Sequence, residues 1–178
     1  AQEHGHAGHA SPYAGLEGRA IKSLSAADLD ELRRGGGWGL ALPAELNGVP
    51  GPAHLLELAA ERGLSPEQVT AIEAIFTEMQ AEAIAAGERL IAAEAALEAA
   101  FVAGNLAQET LRALVDAAAA ARADLRFIHL ARHLATPPLL TEAQIARYAA
   151  LRGYVADPCV TVPDGHDPEL WRRHNGCG

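Results

Sequence analysis

The chain has 178 residues, which suits one domain or one domain with a tail. Hydrophobic residues make up 49% but aromatics only 4%; much of the apolar share is alanine, which points to helices packed at short distances. No uncharged apolar run reaches about 18 residues, which excludes a membrane-spanning helix, and a net charge of -9, from 23 acids and 14 bases, disfavours a nucleic-acid partner while permitting cation binding.

The chain opens Ala1-Gln2-Glu3-His4, without methionine. Such a start is what cleavage of a signal peptide leaves, although a trimmed chain looks the same, and the expectation is export. Residues 1–23 show no period and read as an extended arm. That arm carries His4, His6 and His9, a short His-rich tract of the kind that binds zinc, copper or nickel. Ser25 and Asp28 form a capping box for a short helix with Leu29 and Leu32 on one face and Gly35 as its stop. Trp38 to Pro52 reads as a loop or broken helical turn, punctuated by Pro43, Asn47-Gly48 and Pro50-Gly51-Pro52. Pro52 then fits the first turn of a helix running to about residue 62, with Gly63 after it.

Ser65-Pro66-Glu67-Gln68 is a helix start in which Ser65 caps and Gln68 reaches back. The pattern runs on to Ala103. Val69, Phe76, Ala83, Leu90 and Leu97 form one heptad rail, and Ile72, Met79, Ala86, Ala93 and Ala100 the other. A helix of about 38 residues is roughly 57 Å long and needs a partner of similar length. That partner follows Gly104-Asn105, from about Ala107 to Ala135, with rails Leu111, Ala118, Leu125 and Leu114, Ala121, Ile128. The short break predicts an antiparallel hairpin. Thr136-Pro137-Pro138 ends it, and Thr141 to Gln144 repeats the start signal for a last helix to about Arg152. The tail holds Cys159, Cys177 and a short helical segment near Asp167–Arg173. The expected fold is therefore all-α, a long antiparallel helical hairpin with short flanking helices (52–154), preceded by an arm, short helix and loop (1–51) and followed by a cysteine-containing tail (155–178).

His129 and His133 lie four apart on one helix face, the spacing two imidazoles need to hold one transition-metal ion; solvated or core histidines have the same spacing. With the turn near residues 104–105, facing positions have numbers that add to about 209. His129 then faces Glu78 to Glu82, and His133 faces Glu73 to Phe76. Glu73, Glu78, Met79 and Glu82 are the candidate further ligands, with core packing the alternative role for Met79. His54, on the helix leading into the hairpin, is the candidate third imidazole. Cys159 and Cys177 either form a disulfide or join His166 and His174 in a Cys2His2 metal set. No phosphate loop, nucleophile elbow or catalytic Cys–His pair occurs, so nothing argues for an enzyme.

Leu64-Ser65-Pro66-Glu67-Gln68 and Leu139-Leu140-Thr141-Glu142-Ala143-Gln144 resemble the paired LTxxQ elements of the Spy/CpxP family, and the order of element, long helix, turn, long helix, element is similar over about residues 52–154. The first copy has Ser65 for threonine, which preserves the cap. The resemblance, closest in kind to the CnrX/ZraP-like heavy-metal branch, implies a periplasmic homodimer of hairpins and binding of zinc, copper, nickel or cobalt by hairpin histidines; separately, the arm, the tail and the acidic hairpin surface allow an adaptor that binds a membrane-bound signalling partner. His129 followed by His133 is similar to that branch's His-x-x-x-Met/His pair. The resemblance implies as an alternative a chaperone or adaptor without an essential metal, a reading the acidic charge weakens.

Overall fold

The computed structural model describes residues 11–177, Arg62 and Pro158 excepted. Those residues form α1 (Ala26–Arg33), α2 (Leu42–Glu45), α3 (Pro52–Glu57), α4 (Pro66–Ala103), α5 (Gln108–Ala135), α6 (Glu142–Leu151) and α7 (Pro168–His174), with a single 3-10 turn at Pro137–Leu139 and no strand. None of these helices is long and apolar enough to cross a membrane. The tract His4, His6 and His9 lies outside the described residues.

Three helices begin where capping chemistry places them. At α1 the Asp28 N–H donates to Ser25 Oγ at 3.1 Å, and the Ser25 N–H donates back to Asp28 Oδ2 at 2.8 Å. Ser65 with Gln68 and Thr141 with Gln144 repeat the exchange at α4 and α6. Each reciprocal cap satisfies two donors that a helix start leaves open, worth about 1 kcal/mol. The reach-back glutamines of the two LTxxQ-like elements also meet each other. Gln68 Nε2 donates to Gln144 Oε1 at 2.9 Å, and Gln144 Nε2 donates to Gln68 Oε1 at 3.0 Å. Gln68 further donates to the Leu139 carbonyl at 2.7 Å. The two elements are thus clasped, closing the open end of the α4–α5 pair.

α4 and α5 span 38 and 28 residues and pack along their length. The turn begins at Gly104, whose φ of 73° suits glycine. The helices run antiparallel: Arg132, near the end of α5, reaches Glu82 at 2.9 Å and Glu78 at 3.5 Å in the first half of α4. Every heptad position read from the sequence is buried or half-buried. Ala83, Ala86, Ala118 and Ala121 lie fully inside the seam, where their small size lets the two backbones approach.

Residues before 52 do more than trail from this pair. Ile21, Leu24, Leu32 and Leu40 belong to the same apolar cluster as Ala83, Ala86, Leu90, Ala121 and Leu125. Lys22 Nζ to Glu98 Oε1 (2.7 Å) and Ser23 Oγ to Glu94 Oε2 (2.7 Å) tie the entry of the arm to α4. A second cluster of Leu55, Ile72 and Tyr148 joins α3, α4 and α6. α3 stops at Glu57, short of the expected residue 62, because the chain turns back through Ala59 and Gly63 to start α4.

α1 seats on a glycine of α4. A Cβ at residue 87 would lie 2.6 Å from the Leu32 carbonyl oxygen, a backbone atom that yields only if α1 shifts. Gly87→Ala gains about 1 kcal/mol of helix propensity, yet overpacking of about 1–3 kcal/mol opposes it. The expected result is a Tm lowered by a few degrees, whereas Gly37→Ala, with nothing within 4 Å of its Cβ, leaves Tm unchanged. Equal Tm values for both variants, read by calorimetry, refute this seating of α1.

Candidate functional site

Helices α3, α4 and α5 and the arm line a half-open cavity of about 520 Å³ whose lining includes His54, His129, His133, Met79, Glu45 and Glu31. All three imidazoles chosen from the sequence for the helical part therefore line one space. Turning α3 back along α4 brings this about: Leu55 packs on Ile72, so His54 falls beside the same stretch of α4 that His133 approaches from α5.

His129 and His133 occupy one face of the last turns of α5 and are 3% and 7% exposed. His133 Nδ1–H donates to the Val49 carbonyl at 2.6 Å. Gly51 packs against the same ring: a Cβ there would fall 2.5 Å from Nε2 and 2.7 Å from Cε1, so only glycine fits. One turn on, Thr136 Oγ1 donates to the Pro50 carbonyl. The Nε2 of His129 is buried without a hydrogen-bond partner. Burial, then the field of His133, holds the pKa of His129 below the usual imidazole value, against the opposing pull of the Gly36 backbone and Glu31. His129 is accordingly neutral near pH 7.

The remaining candidates scatter. Glu73 is exposed on α4 and does not line the cavity. Glu78 is exposed and pairs with Arg132. Met79 is buried and lines the cavity, so packing and access to a ligand coincide there. His54 Nδ1 lies 3.4 Å from Glu45 Oε1. Among the described residues, no group of three His, Cys, Asp or Glu side chains stands close enough to hold a metal ion. The seven helical candidates thus do not converge as one ready-made ligand set.

Glu45 is the functional-looking residue that the sequence reading missed. It ends α2 and is 5% exposed. Its Oε1 accepts from the Tyr148 hydroxyl and, at 2.8 Å, from the Tyr154 hydroxyl, with Arg152 Nε at 3.6 Å. Its Oε2 is buried and has no hydrogen-bond partner. Burial raises its pKa, but the hydrogen bonds from His54, Tyr148 and Tyr154 outweigh it and hold the carboxyl at about 2. Burial, and then the same carboxylate, push the Tyr148 phenol well above its usual value. A signal existed: Glu45 is the only acidic or basic side chain, histidine aside, between Arg34 and Glu57. A lone charge in an apolar, Gly- and Pro-rich stretch is either exposed or paired inside.

In the tail, Cys159 and Cys177 form a disulfide with Cα atoms 5.5 Å apart. This excludes the Cys2His2 alternative. His166 instead packs edge-on against Trp171, with ring centroids 4.8 Å apart. The bridge returns the end of the chain to Arg147 on α6, which lies 4.0 Å from Cys159 Sγ and 3.9 Å from Asp157.

The class defined by this fold and site is an all-helical protein with two long antiparallel helices, an arm docked on one face, and a His-lined cavity beneath the arm. Comparison with family models, curated proteins and solved structures finds no match to this chain.

Proposed function

We propose that this is an exported, periplasmic metal-binding protein of the Spy/CpxP-like type, acting in heavy-metal sensing or resistance. Its cargo in this reading is a divalent transition-metal ion, zinc, copper, nickel or cobalt, taken up in the cavity of His129, His133 and His54. The observation that carries the reading is the unpartnered, buried Nε2 of His129 in a cavity that also offers Met79 and the free oxygen of Glu45. A buried imidazole without a partner loses its hydration for no return, a cost that ligation offsets. Since no three ligands are preassembled, capture draws donors from α3, α4 and α5 together, tying occupancy to packing. The disulfide supports export, because such bonds persist in oxidising compartments. Homodimerisation and a membrane-bound signalling partner belong to the same reading.

The test is calorimetric titration of each of the four ions into chain in which His4, His6 and His9 are alanine, so that the arm tract contributes nothing. At least one ion is expected to bind, and His129→Ala to weaken it by more than about tenfold. Undiminished binding in a His129→Ala, His133→Ala double variant rejects this site.

A second reading, a chaperone or adaptor without an essential metal, is favoured by a stripe on α5 where Phe127 and Leu134 are 72% and 73% exposed. Suppression of aggregation that persists without metal and without the histidines, but is lost in Phe127→Ser/Leu134→Ser, selects that reading.

A further inference from the structure

The cavity between the arm and the long helices is lined by two buried polar side chains that each keep one atom without a hydrogen-bond partner. Glu45 is 5% exposed; its Oε1 accepts from two tyrosine hydroxyls, while its Oε2 has no partner. His129 is 3% exposed, and its Nε2 has none. A polar atom withheld from water without a partner is costly, the more so on a charged group. Glu45 is ionised at neutral pH, so Oε2 demands a hydrogen-bond donor, and a cationic donor answers it best. The charge of the lining has the same sense: Glu31, Glu45 and Glu57 stand against Arg34. The remaining wall is apolar, with Trp38, Leu42, Phe76 and Met79. Trp38 sits at a φ of 46°, a left-handed conformation that bulky side chains rarely adopt. Its backbone N–H donates to Glu31 Oε1 at 2.9 Å and its indole N–H to Asp28 Oδ1 at 2.8 Å, which hold it there. Backbone strain of this kind gathers at ligand clamps.

We propose that this cavity binds a small organic cation, a primary ammonium or amidinium group on an apolar or aromatic body. Glu45 Oε2 accepts from the cationic N–H groups, His129 Nε2 meets a second polar group, and Trp38, Phe76 and Met79 pack against the body. The volume of about 520 Å³ is that of a small-molecule site, and the open side gives entry. One ionised carboxylate in a largely apolar space suffices to orient such a ligand, so no set of three metal ligands is needed. A neutral molecule of the same shape leaves the charge of Oε2 unanswered, and an anion meets three carboxylates. The site therefore selects by charge first and by shape second. This inference stands apart from the metal reading and does not rest on it.

The experiment follows backbone amide NMR shifts of the full chain at about pH 7, with excess EDTA to keep metal ions out. About 0.15 M sodium chloride screens diffuse attraction by the net charge of -9. The probes are benzylamine and benzamidine, with benzyl alcohol and benzoate as the neutral and anionic counterparts. Both cations are expected to cause saturable shifts at residues 35–39 and 51–54, and both counterparts to bind at least about tenfold more weakly. The second cavity, of about 530 Å³ and lined by Arg147, Asp157 and Asn175 beside the disulfide, is the internal control and is expected to stay unshifted. Glu45→Gln is expected to weaken benzylamine at least about tenfold, whereas Glu109→Gln, exposed on α5, leaves it unchanged. The amine–alcohol comparison needs no substitution, so it decides if Glu45→Gln does not fold. Equal binding of benzylamine and benzyl alcohol, shifts that do not saturate or that spread to the tail cavity, or full affinity in a folded Glu45→Gln overturns the proposal. Because metal is excluded throughout, such a failure leaves the metal reading untouched, and a chain that binds none of the four metal ions leaves this site standing.

Discussion

Leu32→Ala is expected to destabilise the whole described fold by about 2–5 kcal/mol, not merely loosen the arm. Leu32 is 1% exposed and sits among Ala83, Ala86, Leu90 and Leu125, residues from both long helices. Six of the sixteen seam positions are alanine, and alanine side chains bury little apolar area. The leucines of the arm supply part of what the seam lacks. Two probes separate the outcomes. Trp38 fluorescence follows the arm, with Trp171 replaced by phenylalanine to remove the only other tryptophan. Far-ultraviolet circular dichroism follows α4 and α5. The expected result is one coincident urea transition, shifted equally for both probes. If the Trp38 transition moves and the helical one stays, the arm and the long helices are separate folding units and the shared core has no energetic meaning.

Glu45 carries the second large effect, and its sign follows from its pKa. The folded-state value is about 2, against 4.5 for the free side chain. The bound protons therefore differ between folded and unfolded chains only at acid pH. The stabilisation is complete above about pH 4.5 and is lost as pH falls toward 2. A displacement of this size corresponds to at most about 3 kcal/mol. Glu45→Gln keeps the shape and an acceptor oxygen but removes the charge that Arg152 and the two tyrosine hydroxyls address. Urea midpoints at pH 7 and pH 3 are expected to differ much less in Glu45→Gln than in the unsubstituted chain, with the variant weaker at pH 7. Parallel pH dependence of the two proteins shows that other carboxyls carry the acid sensitivity. Tyr148 joins α6 and Glu45 joins α2, so the same variant is expected to loosen α6 first, seen as faster exchange in residues 142–151.

Much of the helical framework was legible because its causes are local. A cap needs a side-chain oxygen three residues before its donor, so Ser25, Ser65 and Thr141 announce α1, α4 and α6 in single stretches of sequence. A heptad rail is a spacing, and the seam follows it along both long helices. Arg132, expected opposite about residue 77, pairs with Glu78 and reaches on to Glu82. The loop from Gly35 to Gly51 was opaque because it has no period. Its partners, Gln80, His133 and Tyr148, are set by where the loop lies.

The candidate site divides along the same line. Its three imidazoles could be named from spacing and from the turn that folds α3 back, and all three line one cavity. Glu73 and Glu78 could not be sorted from Glu45, because a carboxylate reads the same in sequence whether it faces water or is taken inside by two hydroxyls. By itself the sequence determined an all-helical chain, its caps, its long antiparallel pair and which histidines stand near one another, since each depends on neighbours within a few residues or on a regular repeat. Only the tertiary structure decided that the arm joins the core, that Gln68 meets Gln144, that Glu45 is buried, and that the Val49 carbonyl binds His133. Those contacts join residues about 50 to 110 positions apart, held by packing whose free energy no local pattern encodes.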